Sequence, residues 1–345
     1  MLSRSLLDQL ENLEVMLDVI QTFGSILPKA CQNTCEEAWP VFDLFITKYG
    51  SEYDVAERTT RILRHALTLF GDSAIPTSIL VMARMSISFE TTGFPGYLWI
   101  ASKIISLFGN EENPALRASF QEIYERSTAN VISLLQVKLP RDIPDGNVFT
   151  FLSGPVLLTL PIKVLDDYLR MLMSLADFAP DIFYRSPTFA LAFRALMASL
   201  TLVQADAIFG GLELARIIFS HDCLVPVTPQ PPPPKFPEYA AVIKAVIQKD
   251  GFEFVGYLLT GLVGDFPEDS VSTVIAVFRA ISAVWPSQLL SWLPVVLQQL
   301  PAASAPNQTK TDFMSDVTRF VLPFSFYAHP LIRLQCHQWT TVRQG

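Results

Sequence analysis

The chain has 345 residues, of which 50% are hydrophobic and 17% are charged, and its formal net charge is −8. This apolar content excludes wholesale disorder, and four cysteines in a chain of this length exclude a small disulfide-stapled scaffold. The acidic balance argues against a general nucleic-acid binder, which needs excess lysine and arginine to displace counterions. We therefore expect a folded protein whose cysteines are reduced thiols.

Helical periodicity runs through the whole chain. Apolar residues recur at spacings of three and four, prolines stand at many helix starts, and no run alternates as a sheet strand would. Asp54 is the expected N-cap of the third helix, and Gly71 its end. In chain order, the predicted helices cover residues 3–23, 28–49, 54–70, 76 onward, 97–108, 114–137, 161–179, 187–200, 206–219, 239–248, 252–263, 268–284, 286–299, 311–324 and 330–342.

The lengths of these helices indicate the architecture. A helix pair uses about 40 to 47 residues, which is the repeat length of HEAT and armadillo proteins. Such pairs bury little surface alone and stack into a superhelix. We therefore predict an all-α fold, a single α-solenoid of about seven HEAT-like antiparallel helix pairs. It is expected to span residues 1–345.

Two irregular segments interrupt the predicted array. Residues 138–160 are rich in proline and glycine, and residues 224–237 read LVPVTPQPPPPKFP, which favours extended polyproline II. The second segment is either a ligand for an SH3 or WW domain or a stiff spacer without a partner, and we favour the spacer.

No segment is expected to cross a membrane. The longest uncharged stretch, residues 280–309, contains four prolines, which interrupt a spanning helix. Residues 1–23 carry four acidic side chains and so lack the unbroken apolar core of a signal peptide.

The sequence carries no strong catalytic signature. It has no Walker loop, dinucleotide-binding glycine motif, zinc-protease motif or nucleophile elbow. Cys31 and Cys35 lie one helical turn apart but have no second pair, so we interpret them as buried structural cysteines. Asp166 and Asp167 point about 100° apart on a helix and are interpreted as a solvated first-turn pair. We therefore expect no enzyme activity, no cofactor and no metal.

One basic cluster stands out in this acidic chain. Arg58, Arg61, Arg64 and His65 fall on one arc of the third predicted helix, apart from its apolar face. We call these four residues the arginine ridge. Arginine forks suit bidentate recognition of phosphate or carboxylate. In the alternative interpretation the ridge is a solvated outer face, paired with the nearby carboxylates of Glu52, Asp54 and Glu57.

Five segments carry a resemblance to a known family. They are residues 36–40 (EEAWP), 55–67 (VAERTTRILRHAL), 166–187 (DDYLRMLMSLADFAPDIFYRSP), 206–221 (DAIFGGLELARIIFSH) and 285–301. In this order they resemble the transportin-SR-like import receptors and the related fungal mRNA-transport receptors. Both belong to the importin-β (karyopherin) superfamily of HEAT-repeat proteins. Each segment alone is weak evidence, and the resemblance rests on the order in which the segments occur.

The resemblance implies a nuclear transport receptor. Family members bind cargo in the cytoplasm, cross the nuclear pore and release cargo to RanGTP in the nucleus. Their arginine-rich helix implies contact with phosphorylated Arg/Ser-rich (SR-type) cargo, here through Arg58, Arg61, Arg64 and His65. The family helix carries a further arginine where this chain has Thr68. This difference bears on the affinity that we expect for phosphorylated cargo.

The resemblance covers only the C-terminal part of the family. We expect the Ran-binding repeats to lie upstream of Met1, so that the chain is a fragment, a truncated gene model or a divergent short form. The expected partners are SR-type protein cargo, Ran and nucleoporins, with no direct contact to membrane or nucleic acid. The implied location is both nucleus and cytoplasm. The alternative function is a HEAT-repeat scaffold or adaptor with no transport role.

Overall fold

The computed structural model describes residues 4–22, 29–138, 162–224, 237–264, 266–303 and 305–324. Every regular element in these ranges is helical, which confirms the predicted all-α class. Residues 139–160, residues 225–236 and the predicted helix 330–342 lie outside the described residues. The α-helices are α1 (Arg4–Thr22), α2 (Lys29–Tyr49), α3 (Tyr53–Phe70), α4 (Ile75–Thr92), α5 (Gly96–Phe108), α6 (Pro114–Lys138), α7 (Ile162–Phe178), α8 (Pro180–Arg185), α9 (Phe189–Ser199), α10 (Ala205–Phe219), α11 (Pro237–Val263), α12 (Val271–Val284), α13 (Pro286–Gln299) and α14 (Asn307–Phe324).

The helices divide into two compact units. The first comprises Met1–Leu134 with Leu160–Ala192, and the second Leu135–Thr159 with Phe193–Gly345. We describe each unit by itself, and the single-solenoid organisation stays a prediction.

The first unit is built from two layers of stacked helices. Helices α1, α3, α5 and α7 pack in succession in one layer, while α2 and α4 pack on each other in the second. Short turns join α2 to α3 and α4 to α5, so each pair forms an antiparallel hairpin. Helix α6 belongs to the second layer, since its Arg126 pairs with Glu90 of α4 at 3.3 Å. Its Thr128 lies 2.8 Å from the hydroxyl of Tyr168 on α7.

Local sequence signals explain where these helices begin and end. Gly71 and Gly93 have φ values of 52° and 68° and stand directly after α3 and α4, which confirms Gly71 as the end of the third helix. The expectation for Asp54 was wrong. Glu52 is the N-cap of α3, with no side-chain cap hydrogen bond, and Asp54 lies in the first turn, where the helix dipole favours its charge.

An aromatic cluster forms the core of the second unit. Phe193 of α9, Phe219 of α10 and Phe254 of α11 meet with ring centroids 5.3 to 6.1 Å apart. Trp285, directly after α12, packs edge-on against Phe219 at 5.9 Å. Within this unit, α10 packs on α12 and α11 packs on α13.

Two predicted elements needed correction. Residues 239–248 and 252–263 were predicted as two helices, but they form one, α11. Gly251, which lies between the two predicted ranges, is inside α11 and allows close packing: a Cβ there would lie 2.6 Å from Cη2 of Trp292. The short helix α8 was not predicted. It is separated from α7 by Ala179, whose φ of −139° is not helical.

Among the residues that the structure describes, one stretch, Tyr53–Thr92, is long and apolar enough to cross a membrane by length and composition alone, with a mean hydropathy of 1.5. In the structure it consists of α3 and α4, separated by the 3₁₀ turn Gly71–Ala74. Core helices of folded proteins pass the same test, so the stretch is weak evidence for a membrane span.

Candidate functional site

The arginine ridge lies on α3, as the sequence predicted. Val55, Ile62 and Leu67 are buried on the other side of this helix. In its layer, α3 has α1 as one neighbour and α5 as the other. The arc from Arg58 to Arg64 is about 120° wide, so the ridge is broad enough to face both neighbours.

On the side of α1, two ridge arginines are paired with carboxylates. Nη2 of Arg58 lies 3.2 Å from Oε2 of Glu11. Arg61 contacts Glu14 at 3.4 Å and Glu57 at 2.7 Å. The side chains of Arg58 and Arg61 are 30% and 51% exposed, so water screens these pairs and each contributes at most about 1 kcal/mol.

The pairing agrees only in part with the acids suggested by the sequence. Glu57 does bind a ridge arginine, but among the described residues neither Glu52 nor Asp54 does. Nδ1 of His65 lies 2.6 Å from Oε1 of Gln21, so this histidine also contacts α1.

On the side of α5, the ridge presents a different environment. The guanidinium of Arg64 lies 4.6 Å from the centroid of the Trp99 ring, within cation–π distance. Burial, and then the positive charge of Arg64, lowers the pKa of Lys103. In the part of the chain that the structure describes, neither Arg64 nor Lys103 forms an ion pair with a carboxylate. Positive charge therefore accumulates where α3 meets α5.

The aspartate pair on α7 extends this region and corrects an expectation. Asp166 binds Arg170 at 3.1 Å, but it lies beyond the first turn of α7 and its side chain is only 16% exposed. Asp167 is only 5% exposed, so the pair is not solvated as predicted. Burial, reinforced by the neighbouring charge of Asp166, raises the pKa of Asp167 to about 7. Lys163 is exposed and forms no ion pair within the described ranges.

Two clefts flank α3. The α1–α3 cleft has a volume of about 630 Å³, and the α3–α5–α7 cleft about 450 Å³. The ionisable residues lining the α1–α3 cleft are Glu11, Glu14, Asp18, Asp54, Glu57, Arg58, Arg61 and His65. Those lining the α3–α5–α7 cleft include Glu14, Glu57, Arg61, Arg64, His65, Lys163, Asp166, Asp167 and Arg170. The first cleft is therefore dominated by carboxylates and the second is not.

Other reactive residues do not form a site in the described ranges. The Cys223 thiol is buried, and burial raises its pKa to about 11, so it stays protonated. No group of three or more histidine, cysteine or acidic residues is arranged there to hold a metal ion. The side chains of Cys31 and Cys35 lie outside the described residues, as do His329, Cys336 and His337.

Comparison with known proteins agrees with this architecture. Residues 29–135 match the fourth TPR domain of the transportin-3/importin-13 family. The chain is importin-β/karyopherin-like. The matched region of this karyopherin-like chain contains α3 with the whole arginine ridge, as well as Trp99 and Lys103 on α5.

Longer alignments extend the similarity along the karyopherin-like chain. It is 23% identical to an uncharacterised protein of Schizosaccharomyces pombe over 89% of its own length and 30% of that protein. It is 18% identical to transportin MOS14 of Arabidopsis thaliana, over 83% of the chain and 27% of that protein. Its fold matches importin-13 in the cytosolic state with a TM-score of 0.63 at 13% identity, over 87% of the chain and 31% of importin-13.

These matches confirm the predicted solenoid class. The family model, one relative and one solved structure carry transportin or importin in their names. The family domain is described as TPR, whereas the sequence suggested HEAT; both are stacks of antiparallel helix pairs. The chain spans about 30% of the length of the relatives that it matches.

Proposed function

We propose that the chain is a cargo-binding segment of a nuclear transport receptor, and that its cargo is protein with phosphorylated Arg/Ser-rich regions. The observation that carries the proposal is the family match over residues 29–135, which includes the arginine ridge. A phosphoserine carries close to two negative charges at neutral pH, and arginine forks bind such groups bidentately. Arg58, Arg61, Arg64 and His65 are the proposed contacts.

The transport cycle is part of the same proposal. Cargo would be bound in the cytoplasm, carried through the pore by contact with nucleoporins, and released in the nucleus by Ran. The receptor would therefore shuttle between nucleus and cytoplasm. Binding, not catalysis, is the proposed activity, and no cofactor, membrane or nucleic acid takes part in it.

The proposal is tested by fluorescence anisotropy of this chain with a labelled Arg-Ser peptide, phosphorylated and unphosphorylated, at low and high salt. We expect tighter, salt-sensitive binding of the phosphorylated form. Charge reversal of Arg58, Arg61 and Arg64 together should abolish binding while the circular dichroism spectrum stays unchanged. If binding persists in a folded triple variant, the ridge is not the cargo site.

A second candidate is a helical-repeat scaffold with no transport role. It is favoured by the carboxylates already bound to Arg58 and Arg61, which is the pattern of an ordinary ion-paired helix face. The two functions differ in their response to Ran. RanGTP should release cargo from the full-length transport receptor and should leave a scaffold complex intact.

A further inference from the structure

An open groove with a volume of about 790 Å³ lies between α13 and α14 in the second unit. Pro294 and Leu297 of α13 and Met314 of α14 provide apolar surface in it, and no carboxylate is among the described residues that line it. We call it the α13–α14 groove. In a chain with a net charge of −8, a surface of this size without an acidic side chain favours an apolar partner.

The two cations at the groove are already engaged by the protein. Nζ of Lys310 donates to the carbonyl oxygen of Leu300 at 2.6 Å. Arg319 lies 3.8 Å from a carboxylate oxygen of Asp316, in a pair that water screens because both side chains are exposed. Charge therefore does not select the occupant of the groove, and apolar contact must do so.

The position of the groove in the stack indicates what covers it. Within this unit α10 packs on α12 and α12 on α14, while α11 packs on α13. The next helix along the chain would pack on α13 and pair with α14, which places it in the α13–α14 groove. Trp292 lies against Gly251 of α11, and Pro294 points about 160° away from Trp292 on α13. The groove is therefore on the side of α13 that α11 leaves free.

The sequence after α14 provides a suitable helix. Helix α14 ends at Phe324, and residues 330–342 (PLIRLQCHQWTTV), outside the described residues, are predicted to form the next helix. On a helical projection their larger apolar side chains share an arc of about 200°, while Arg333 and His337 fall in the remaining arc. The apolar side chains are those of Leu331, Ile332, Leu334, Cys336, Trp339 and Val342. With its polar arc turned to solvent, this helix has the character of a terminal capping element.

The lengths of the groove and of the segment also agree. The part of α14 that lines the groove, from Asn307 to Arg319, and the predicted helix 330–342 each span about 18 Å. Residues 325–329 make a connection within the usual range for an antiparallel helix pair, about two to eight residues. Because so short a tether gives an effective concentration of about millimolar, the segment has the advantage over a free partner of similar affinity.

We propose that residues 330–342 dock as an amphipathic helix in the α13–α14 groove and cap this end of the helical stack. The helix runs antiparallel to α14, which brings Cys336, at its middle, near Thr318. Its apolar arc covers Pro294, Leu297 and Met314. The inference is independent of the cargo, and it assigns the segment a role that the proposed function leaves open.

The test is chemical cross-linking in the full chain, with the thiol of Cys336 as one anchor. Thr318→Cys places a second thiol in the groove. Asp316→Cys, the matched control, places it about 160° away on the same helix. A short bismaleimide should join Cys336 to the new thiol within one chain at least about tenfold faster in Thr318→Cys than in Asp316→Cys. Cys223 is buried and does not compete for the reagent.

Two further changes, each combined with Thr318→Cys, test whether the contact is apolar. Trp339→Asp in the segment and Ser315→Glu in the groove should each slow the cross-link roughly tenfold, because a carboxylate would lose its water beneath an apolar helix face. Ser287→Glu, on an exposed position of α13 outside the groove, is the matched control and should leave the rate unchanged. All of these proteins carry Cys31→Ser and Cys35→Ser.

The other outcomes overturn the inference. Equal rates in Thr318→Cys and Asp316→Cys, or rates that neither Trp339→Asp nor Ser315→Glu changes, would show that the segment does not occupy the groove. A product with the mass of two chains, formed faster at higher protein concentration, would assign the groove to a second copy instead. Circular dichroism of each variant establishes that it is folded. Cargo binding is measured separately by anisotropy, so either proposal can fail without the other.

Discussion

The guanidinium of Arg64 stacks on the indole ring of Trp99, which joins the arginine ridge of α3 to α5. Because Arg64 has no carboxylate partner in the described part of the chain, this ring is the contact that orients it. A double-mutant cycle with Arg64→Gln and Trp99→Leu should give a coupling free energy of about 0.5 to 1 kcal/mol in urea unfolding. If the losses of stability in the two single variants add up to the loss in the double variant, the two side chains do not interact.

A second prediction concerns the pH dependence of stability. The pKa of Asp167 rises from 3.8 to about 7 on folding, so the folded state binds more protons than the unfolded chain between these values. Stability therefore falls as the pH rises through this range, and the loss is complete above the folded pKa. Asp167→Asn should remove this loss, so that the variant is more stable than the unchanged protein by up to about 4 kcal/mol at alkaline pH.

The matched control for this prediction is Asp166→Asn, one residue away and bound to Arg170. Thermal unfolding across the pH range should show a flat profile in Asp167→Asn and only a partly flattened one in Asp166→Asn, because the charge of Asp166 is a smaller cause of the raised pKa than burial. The same profile in both variants would mean that burial of Asp167 is not the cause.

A third prediction follows from the close approach of α11 and α13. A Cβ at Gly251 would lie 2.6 Å from Cη2 and 3.0 Å from Cζ3 of Trp292. Gly251→Val should therefore cost about 1 to 3 kcal/mol of stability through overpacking, despite valine's greater helix propensity. Replacing Trp292 with leucine in the same protein should restore part of the loss, as measured by chemical denaturation. If Gly251→Val costs the same stability whether residue 292 is tryptophan or leucine, a steric clash with Trp292 is excluded as the cause.

The fourth prediction tests a buried hydrogen bond that ties α5 to the end of α2. The hydroxyl of Tyr97 donates to the carbonyl oxygen of Gly50 at 2.9 Å, and Tyr97 is fully buried. Tyr97→Phe should lower the free energy of unfolding by about 1 to 2 kcal/mol, since the carbonyl loses its partner. Tyr53→Phe, on an exposed side chain, is the control and should change little. A loss of the same size in both variants would contradict the prediction.

Helix boundaries could be predicted from the sequence where proline and glycine mark them. Helix α13 begins at Pro286 and ends at Gln299, as predicted, because a proline at the first position removes an N–H that has no partner anyway. The predicted gap between residues 248 and 252 was wrong, since Gly251 lies inside α11, where a glycine serves close packing. The local sequence does not show whether another helix packs against a glycine, and so it does not show whether that glycine ends a helix or lies inside one.

The arginine ridge itself could be predicted, but its surroundings could not. Helical periodicity indicates which residues share a face, and it placed Arg58, Arg61 and Arg64 correctly on α3. It does not indicate which helix lies opposite, so Glu14, 47 residues upstream of Arg61, was missed. Asp167 was misjudged for the same reason. Helix α7 is covered by both α5 and α8, so Asp167, which points away from Asp166, is buried.

The stacking of α1 on α3, α3 on α5 and α5 on α7 has a kinetic consequence. Each helix packs on partners close to it along the chain, and chains with a low contact order fold quickly because little loop entropy is lost before contacts form. During synthesis, the α2–α3 hairpin can pack on α1 before α7 has left the ribosome. The first unit can thus grow from its N-terminal end, and each docked hairpin provides the surface for the next.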